Sequence, residues 1–128
     1  TIKPNKMEAE ILSGITIYNY DDLNKVAEYF LNKGVKKVFI SLGSEGVFYM
    51  TEEESEIVKI PNTNPVNTTG AGDAFVAGIA YGEYHGFDME TTARFGLGAS
   101  VLTSFSDKSV NDQMSVKNVE NVIKELKI

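Results

Sequence analysis

Cysteine and tryptophan are absent from this 128-residue chain, and histidine occurs once, as His85. Without cysteine there can be no disulfide, no thiolate nucleophile and no cysteine-based zinc site. A single histidine argues against a Ser-His-Asp triad and against a multi-histidine metal centre. Positive charge is in deficit: 12 Lys and Arg against 18 Asp and Glu give a net charge of -6. That balance argues against a nucleic-acid binder, which carries a basic patch. It does not exclude a nucleotide, because backbone N–H groups and a metal ion can hold phosphates. No apolar run approaches the roughly 20 residues that span a bilayer, and no secretory leader is visible. The expectation is a cytoplasmic protein without a membrane or nucleic-acid partner. What the chain does have is a core: 42% of its residues are hydrophobic, ample for one folded domain of this length.

The opening "TIKPN" lacks Met and reads as the end of a strand entering a turn, which implies an upstream portion. "KMEAEILSG" reads as a short helix closed by Gly14, with Asn5 and Glu8 spaced as a capping box. "YNYDDLNKVAEYFLNKG" is an amphipathic helix, with Leu23, Val26, Ala27, Phe30 and Leu31 on one stripe and Gly34 past its end. "KKVFISLG" is a buried strand, and "GVFYMTEEESEIVKIP" is two strands joined by a solvated acidic tip at Glu52–Glu54. A helix is expected from Ala71 or Asp73 to about His85, with Gly78 and Gly82 permitting close packing. A second is expected from about Met89 to Ser104. "SFSDKSVNDQ" is a polar loop, and a last helix from about Ser115 should bury Val116, Val119, Ile123 and Leu126. The pattern is α/β with a helical C-terminal third.

The stretch "NTTGAGDAFVAG", residues 67–78, carries the most chemistry. Gly70 and Gly72 let the backbone bend sharply and let a ligand come close. The helix that follows aims its first N–H groups and positive dipole end at that ligand. Asp73, at the same place, can accept a proton from a bound hydroxyl. Anion-stabilising backbone beside a carboxylate base suits transfer of phosphate to an alcohol. The same spacing also suits a tight turn with an aspartate as helix cap. A P-loop is excluded because no Gly-Lys-Ser/Thr follows, and a dinucleotide fingerprint because Phe75 occupies the third glycine position.

"NTTGAGDAFVAGIAYG" resembles the second signature of the PfkB, or ribokinase-like, family of carbohydrate and nucleoside kinases, usually written D-T-T-G-A-G-D. "KPNKMEAE" resembles the family's N-x-x-E motif, as Asn5 and Glu8, and "VFISLGSEGVFY" its nucleotide loop, as Ser41, Gly43 and Gly46. The resemblance implies the C-terminal part of a three-layer α/β/α fold with a mostly parallel sheet and a β-hairpin. Residues 1–128 would form a single nucleotide-binding and catalytic-base portion, without the N-terminal sugar-binding half and its lid. It implies ATP and Mg²⁺ as cofactor pair, a small sugar or nucleoside as acceptor, and a homodimeric parent. Asp73 would be the general base, and the backbone of Gly70, Ala71 and Gly72 the anion hole. Glu8 would organise Mg²⁺ through water, with Asn5 supporting the phosphates, although the capping box accounts for both residues as well. Ser41, Gly43 and Gly46 would line the ATP phosphates and ribose, and the same residues equally fit a strand end and hairpin turn.

The sequence departs from the family pattern at Asn67, where the family usually has the Asp that helps hold a monovalent cation. An amide keeps a carbonyl oxygen but not the charge, which places potassium dependence in question. Leu97 stands where a polar adenine contact is often found; it reads either as apolar packing on the base or as ordinary core. "TIKPNKMEAEILSGI" and "SVNDQMS" resemble pseudouridine kinase-type members, with ribose- and fructose-type acceptors still open. Alongside the kinase reading stand a nucleotide-binding module without catalysis and an inert α/β fragment that self-associates through an exposed sheet edge. The chain alone is expected to turn over little or not at all, since positioning of the acceptor supplies much of the rate in phosphoryl transfer.

Overall fold

The computed structural model describes residues 1–60, 71–104, 116–126 and 128. They form two compact units, Thr1–Ile57 and Val58–Ile128.

In the first unit, α1 (Lys6–Ser13) starts where the side chain of Asn5 accepts the Glu8 N–H at 2.7 Å and Glu8 Oε1 accepts the Asn5 N–H at 2.9 Å. It stops at Gly14, whose φ of 74° is left-handed backbone that favours glycine. Helix α2 (Tyr20–Asn32) is capped by Asn19, whose side chain accepts the Asp22 N–H at 3.0 Å, and its stripe of Leu23, Val26, Ala27 and Phe30 is buried. Strands β1 (Val38–Ser41) and β2 (Val47–Met50) pair antiparallel from Val38↔Met50 to Ser41↔Val47. Strand β3 (Ser55–Val58) completes a sheet of order β1-β2-β3. Val38, Ile40, Phe48 and Met50 pack with the α2 stripe into one core. The acidic tip is a turn held by Thr51, whose hydroxyl accepts the Glu53 and Glu54 N–H groups at 3.2 Å, and Glu52, Glu53 and Glu54 are exposed.

The opening segment behaves as a strand end. Ile2 and Asn5 form isolated parallel bridges to Val38 and Ser41. Parallel pairing is seen in these two bridges, while β1 and β2 pair antiparallel. The reason is local: β1 and β2 are joined by a short turn, and only antiparallel strands can be connected that way.

The elements described in the second unit after β3 are helices. Helix α3 (Ala71–Tyr84) buries Phe75, Gly78, Ile79 and Gly82. Helix α4 (Met89–Ser104) starts at Asp88, which accepts the Thr91 N–H at 2.8 Å. The two helices approach so closely that a Cβ on Gly78 would stand 2.7 Å from the Phe95 carbonyl oxygen and 2.8 Å from Gly96 Cα. That is the close packing expected of the α3 glycines. Helix α5 (Val116–Leu126) buries Val119, and Ile123 packs beside it. Val116, expected in the core, is 37% exposed; it is the first residue of α5, where one turn of helix gives little cover. The Leu126 side chain and all of the expected polar loop after Ser104 lie outside the described residues, and Ser104 itself ends α4. Among the described residues no helix is long and apolar enough to cross a membrane.

Candidate functional site

The site residues expected from the sequence fall into a group in each unit. In the first unit two motif segments that look unrelated in sequence are neighbours. The parallel bridge Asn5↔Ser41 puts the N-x-x-E segment against the end of β1, and the Ser41 N–H donates to the Pro4 carbonyl at 3.1 Å. No feature of either segment's sequence announces the other; the register of Ile2 to Asn5 against Val38 to Ser41 comes from the fold.

Beyond Ser41 the chain makes a one-turn 3₁₀ helix, Gly43–Glu45. The Leu42 N–H donates to the Gly46 carbonyl at 2.8 Å, and the Gly46 N–H to the Gly43 carbonyl at 3.2 Å. Gly43 has φ 62° and Gly46 has φ 108° with ψ -141°; the second is a conformation essentially reserved for glycine. Gly43 is exposed, Gly46 buried and Ser41 half-buried. The strand-end-and-turn reading of these residues is therefore realised, and it leaves Gly43 open to a ligand.

Asn5 and Glu8 are both exposed and form the complete capping box. Capping occupies Glu8 Oε1 only, and a carboxylate has a second oxygen to offer. A lone carboxylate working through water is an ordinary donor set for Mg²⁺, which keeps most of its hydration shell. Among the described residues there is no cluster of three or more His, Cys, Asp or Glu that could enclose a metal, so the arrangement fits a hydrated ion and not a protein cage.

In the second unit Ala71, Gly72 and Asp73 form the first turn of α3. First-turn N–H groups have no partner within their own helix, and the positive dipole end lies there. Gly72 and Asp73 are exposed and Ala71 is half-buried. The Asp73 side chain makes no hydrogen bond or ion pair among the described residues. Asp73 is the third residue of the helix, not the residue before it, so it does not occupy the capping position that the local reading gave it. Gly70 and Asn67 lie outside the described residues. Leu97 is 4% exposed, as a core side chain would be, and little of it is open to a base. Sequence reasoning missed an apolar cavity of about 150 Å³ between α3, α4 and α5, to which Ala74, Tyr81 and Phe95 contribute. Its only trace in the sequence is the excess of alanine and glycine on α3.

Comparison with known proteins agrees with these motifs. The pseudouridine kinase of Escherichia coli K12 is 36% identical over 124 residues, 96% of this chain and 40% of that protein. The crystal structure of a candidate sugar kinase from Clostridium perfringens superposes with a TM-score of 0.89 at 39% identity, covering 98% of this chain and 39% of its own. Arabidopsis thaliana ribokinase, solved with ribose and ATP, gives a TM-score of 0.86 at 28% identity over 95% of this chain and 40% of its own. The chain thus spans about two fifths of the length of these relatives. The fold is ribokinase-like, the class shared by kinases of sugars and nucleosides. More narrowly, the chain belongs to the pfkB family of carbohydrate kinases, whose family model matches residues 1–114.

Proposed function

We propose that this chain is the nucleotide-handling and proton-abstracting portion of an ATP-dependent kinase that phosphorylates a hydroxymethyl group of a sugar or nucleoside. One observation carries the reading: Asp73 is an exposed carboxylate on the first turn of α3, beside the turn's own N–H groups and without a hydrogen-bond partner among the described residues.

Asp73 takes the proton from the acceptor hydroxyl as that oxygen attacks the γ-phosphorus. The bond from γ-phosphorus to the β–γ bridging oxygen breaks, and ADP leaves with the electron pair. The N–H groups of Ala71 and Gly72, with Gly70, face the phosphoryl oxygens as their charge grows, and such preorganised donors need no reorientation during the step. Ser41, Gly43 and Gly46 flank the phosphates and ribose of ATP. Glu8, with Asn5, would hold Mg²⁺ through water; when bound, the ion offsets phosphate charge. Asn67 would offer a carbonyl oxygen to a monovalent cation more weakly than an aspartate.

Pseudouridine is the first acceptor to assay, because the pseudouridine kinase match runs along 96% of this chain; ribose and fructose phosphates follow. In the complete kinase carrying this chain, Asp73→Asn should lower kcat by about 10²–10⁴-fold and leave the ATP dissociation constant unchanged. Near-normal turnover would remove Asp73 from the reaction. A binding module without catalysis is the second reading, favoured by the two-fifths coverage of the relatives. Calorimetry of the 128-residue chain with Mg-ATP separates the two from an inert fragment: binding without phosphate transfer fits either reading, and no binding counts against both.

A further inference from the structure

Helix α1 has little apolar hold on its own unit. Ala9 is its one buried residue, whereas Met7 is 65% exposed, Ile11 75% and Leu12 55%. Short helices owe most of their stability to an apolar face packed on neighbours, so α1 has to be held in another way. Hydrogen bonds at its two ends do this. At the start, the Ser41 N–H donates to the Pro4 carbonyl at 3.1 Å, which fixes where the helix begins. At the far end, Glu10 Oε2 accepts the N–H of Ile17, seven residues on, at 2.8 Å. Ile17 is 5% exposed and belongs to the same core as Ala9, Leu23 and Phe30. Removing that acceptor leaves the N–H of a buried residue unpaired, which costs more than the bond itself contributes.

Two residues along a helix are about 200° round its axis, so Glu10 and Glu8 lie on opposite faces of α1. Glu10 therefore acts on Glu8 through the helix and not by touching what Glu8 holds. A side-chain carboxylate stands about 6 Å from the helix axis, so a roll of about 20° carries it about 2 Å. A misplacement of about 1 Å around a reacting group can cost about 10²-fold in rate. Ala9, with a single methyl, resists such a roll weakly. The Glu10–Ile17 bond resists it directly, because it ties α1 to a residue anchored in the core. We propose that Glu10 is a positioning residue of the kinase. Its bond to Ile17 fixes the roll of α1 and so sets where Glu8 stands relative to Ser41, the bridge partner of Asn5. The proposal rests on the magnesium-side role of Glu8 in the kinase reading, and not on the role of Asp73.

One readout needs no ligand. In the 128-residue chain, Glu10→Ala should speed amide hydrogen exchange at Ile17 and Ala9 by about tenfold or more and leave the core of α2 unchanged. Glu10→Gln, which keeps a side-chain acceptor, should restore the parent rates. Unchanged exchange in Glu10→Ala overturns the proposal. A second readout separates aim from stability. In the complete kinase carrying this chain, calorimetry follows ATP binding as Mg²⁺ is varied. Glu10→Ala should raise the half-saturating Mg²⁺ concentration about tenfold, and Glu10→Gln should stay within about twofold of the parent. Metal-free ATP binding should be the same in all three. In a Glu8→Gln background, Glu10→Ala should have no further effect on the magnesium response, because its influence passes through Glu8. Equal losses in both backgrounds show that Glu10 serves stability alone and overturn the proposal. A Glu8→Gln kinase with the parent's magnesium response fails differently: it removes the role of Glu8 itself, and the proposal falls with it. Should Glu10→Ala not fold, Glu10→Asp takes its place. It keeps the charge but stops one methylene short of the Ile17 N–H, and the same dependence on Glu8 is expected of it.

Discussion

Asn5 and Glu8 each have a folding role and a proposed magnesium-side role, and substitution can separate them. Asn5→Ala removes the acceptor of the Glu8 N–H and should cost about 1 kcal/mol in urea denaturation. Glu8→Gln keeps the reciprocal bond to the Asn5 N–H, since glutamine serves that position as glutamate does, but removes the charge. Stability should then stay within about 0.5 kcal/mol while magnesium-dependent ATP binding weakens; binding unchanged by Glu8→Gln would leave Glu8 a cap alone. Asp88 gives a pH dependence. Hydrogen bonds from Thr91 hold its carboxyl below the ordinary value of 3.8, with a lesser contribution from the Arg94 charge. Because the folded-state value is depressed, Asp88 stabilises α4 above the ordinary carboxylate range, and that contribution fades as the pH falls through the lowered value. Asp88→Asn, which caps without titrating, should flatten the loss of urea midpoint across that acid window; an unchanged slope would show that other carboxyl groups set it.

Among the elements, glycine sets how closely α3 and α4 pack. Gly78→Ala would drive a Cβ into backbone atoms of Phe95 and Gly96, which cannot rotate away. A loss of about 1–3 kcal/mol is expected. Gly98→Ala meets side-chain atoms of Ile123 and Val119 on α5 instead, which can shift, so its loss should be smaller; equal losses would mean that α5 is held as firmly as α4. Most elements were legible in the sequence because their signals are local. Met89–Ser104 and the start at Ala71 matched expectation, as did the Asn5–Gly14 helix with both caps. Pairings between distant segments were not legible: nothing near Asn5 says that its partner is Ser41. Val116 misled because a helical stripe does not reveal where neighbouring helices end. Asp73 reads in the sequence either as a base or as a cap, and the structure places it third in α3, since capping positions shift by a residue or two whenever the helix start is read from sequence alone.

At the scale of the whole molecule, Ser41, Gly43 and Gly46, proposed to flank ATP, lie in the first unit and Asp73, the proposed base, in the second, so substitution at the two places should separate loss of nucleotide binding from loss of proton abstraction. The exposed Glu52–Glu54 tip also acts beyond its own turn. With a net charge of -6, the long-range field of the chain opposes the approach of an anionic nucleotide. Screening by salt weakens that repulsion over about 10 Å at 0.1 M. Stopped-flow association of ATP should therefore quicken as salt is added, the reverse of the electrostatic attraction that basic nucleotide-binding surfaces exert, and replacing the three glutamates by glutamine should remove much of that acceleration.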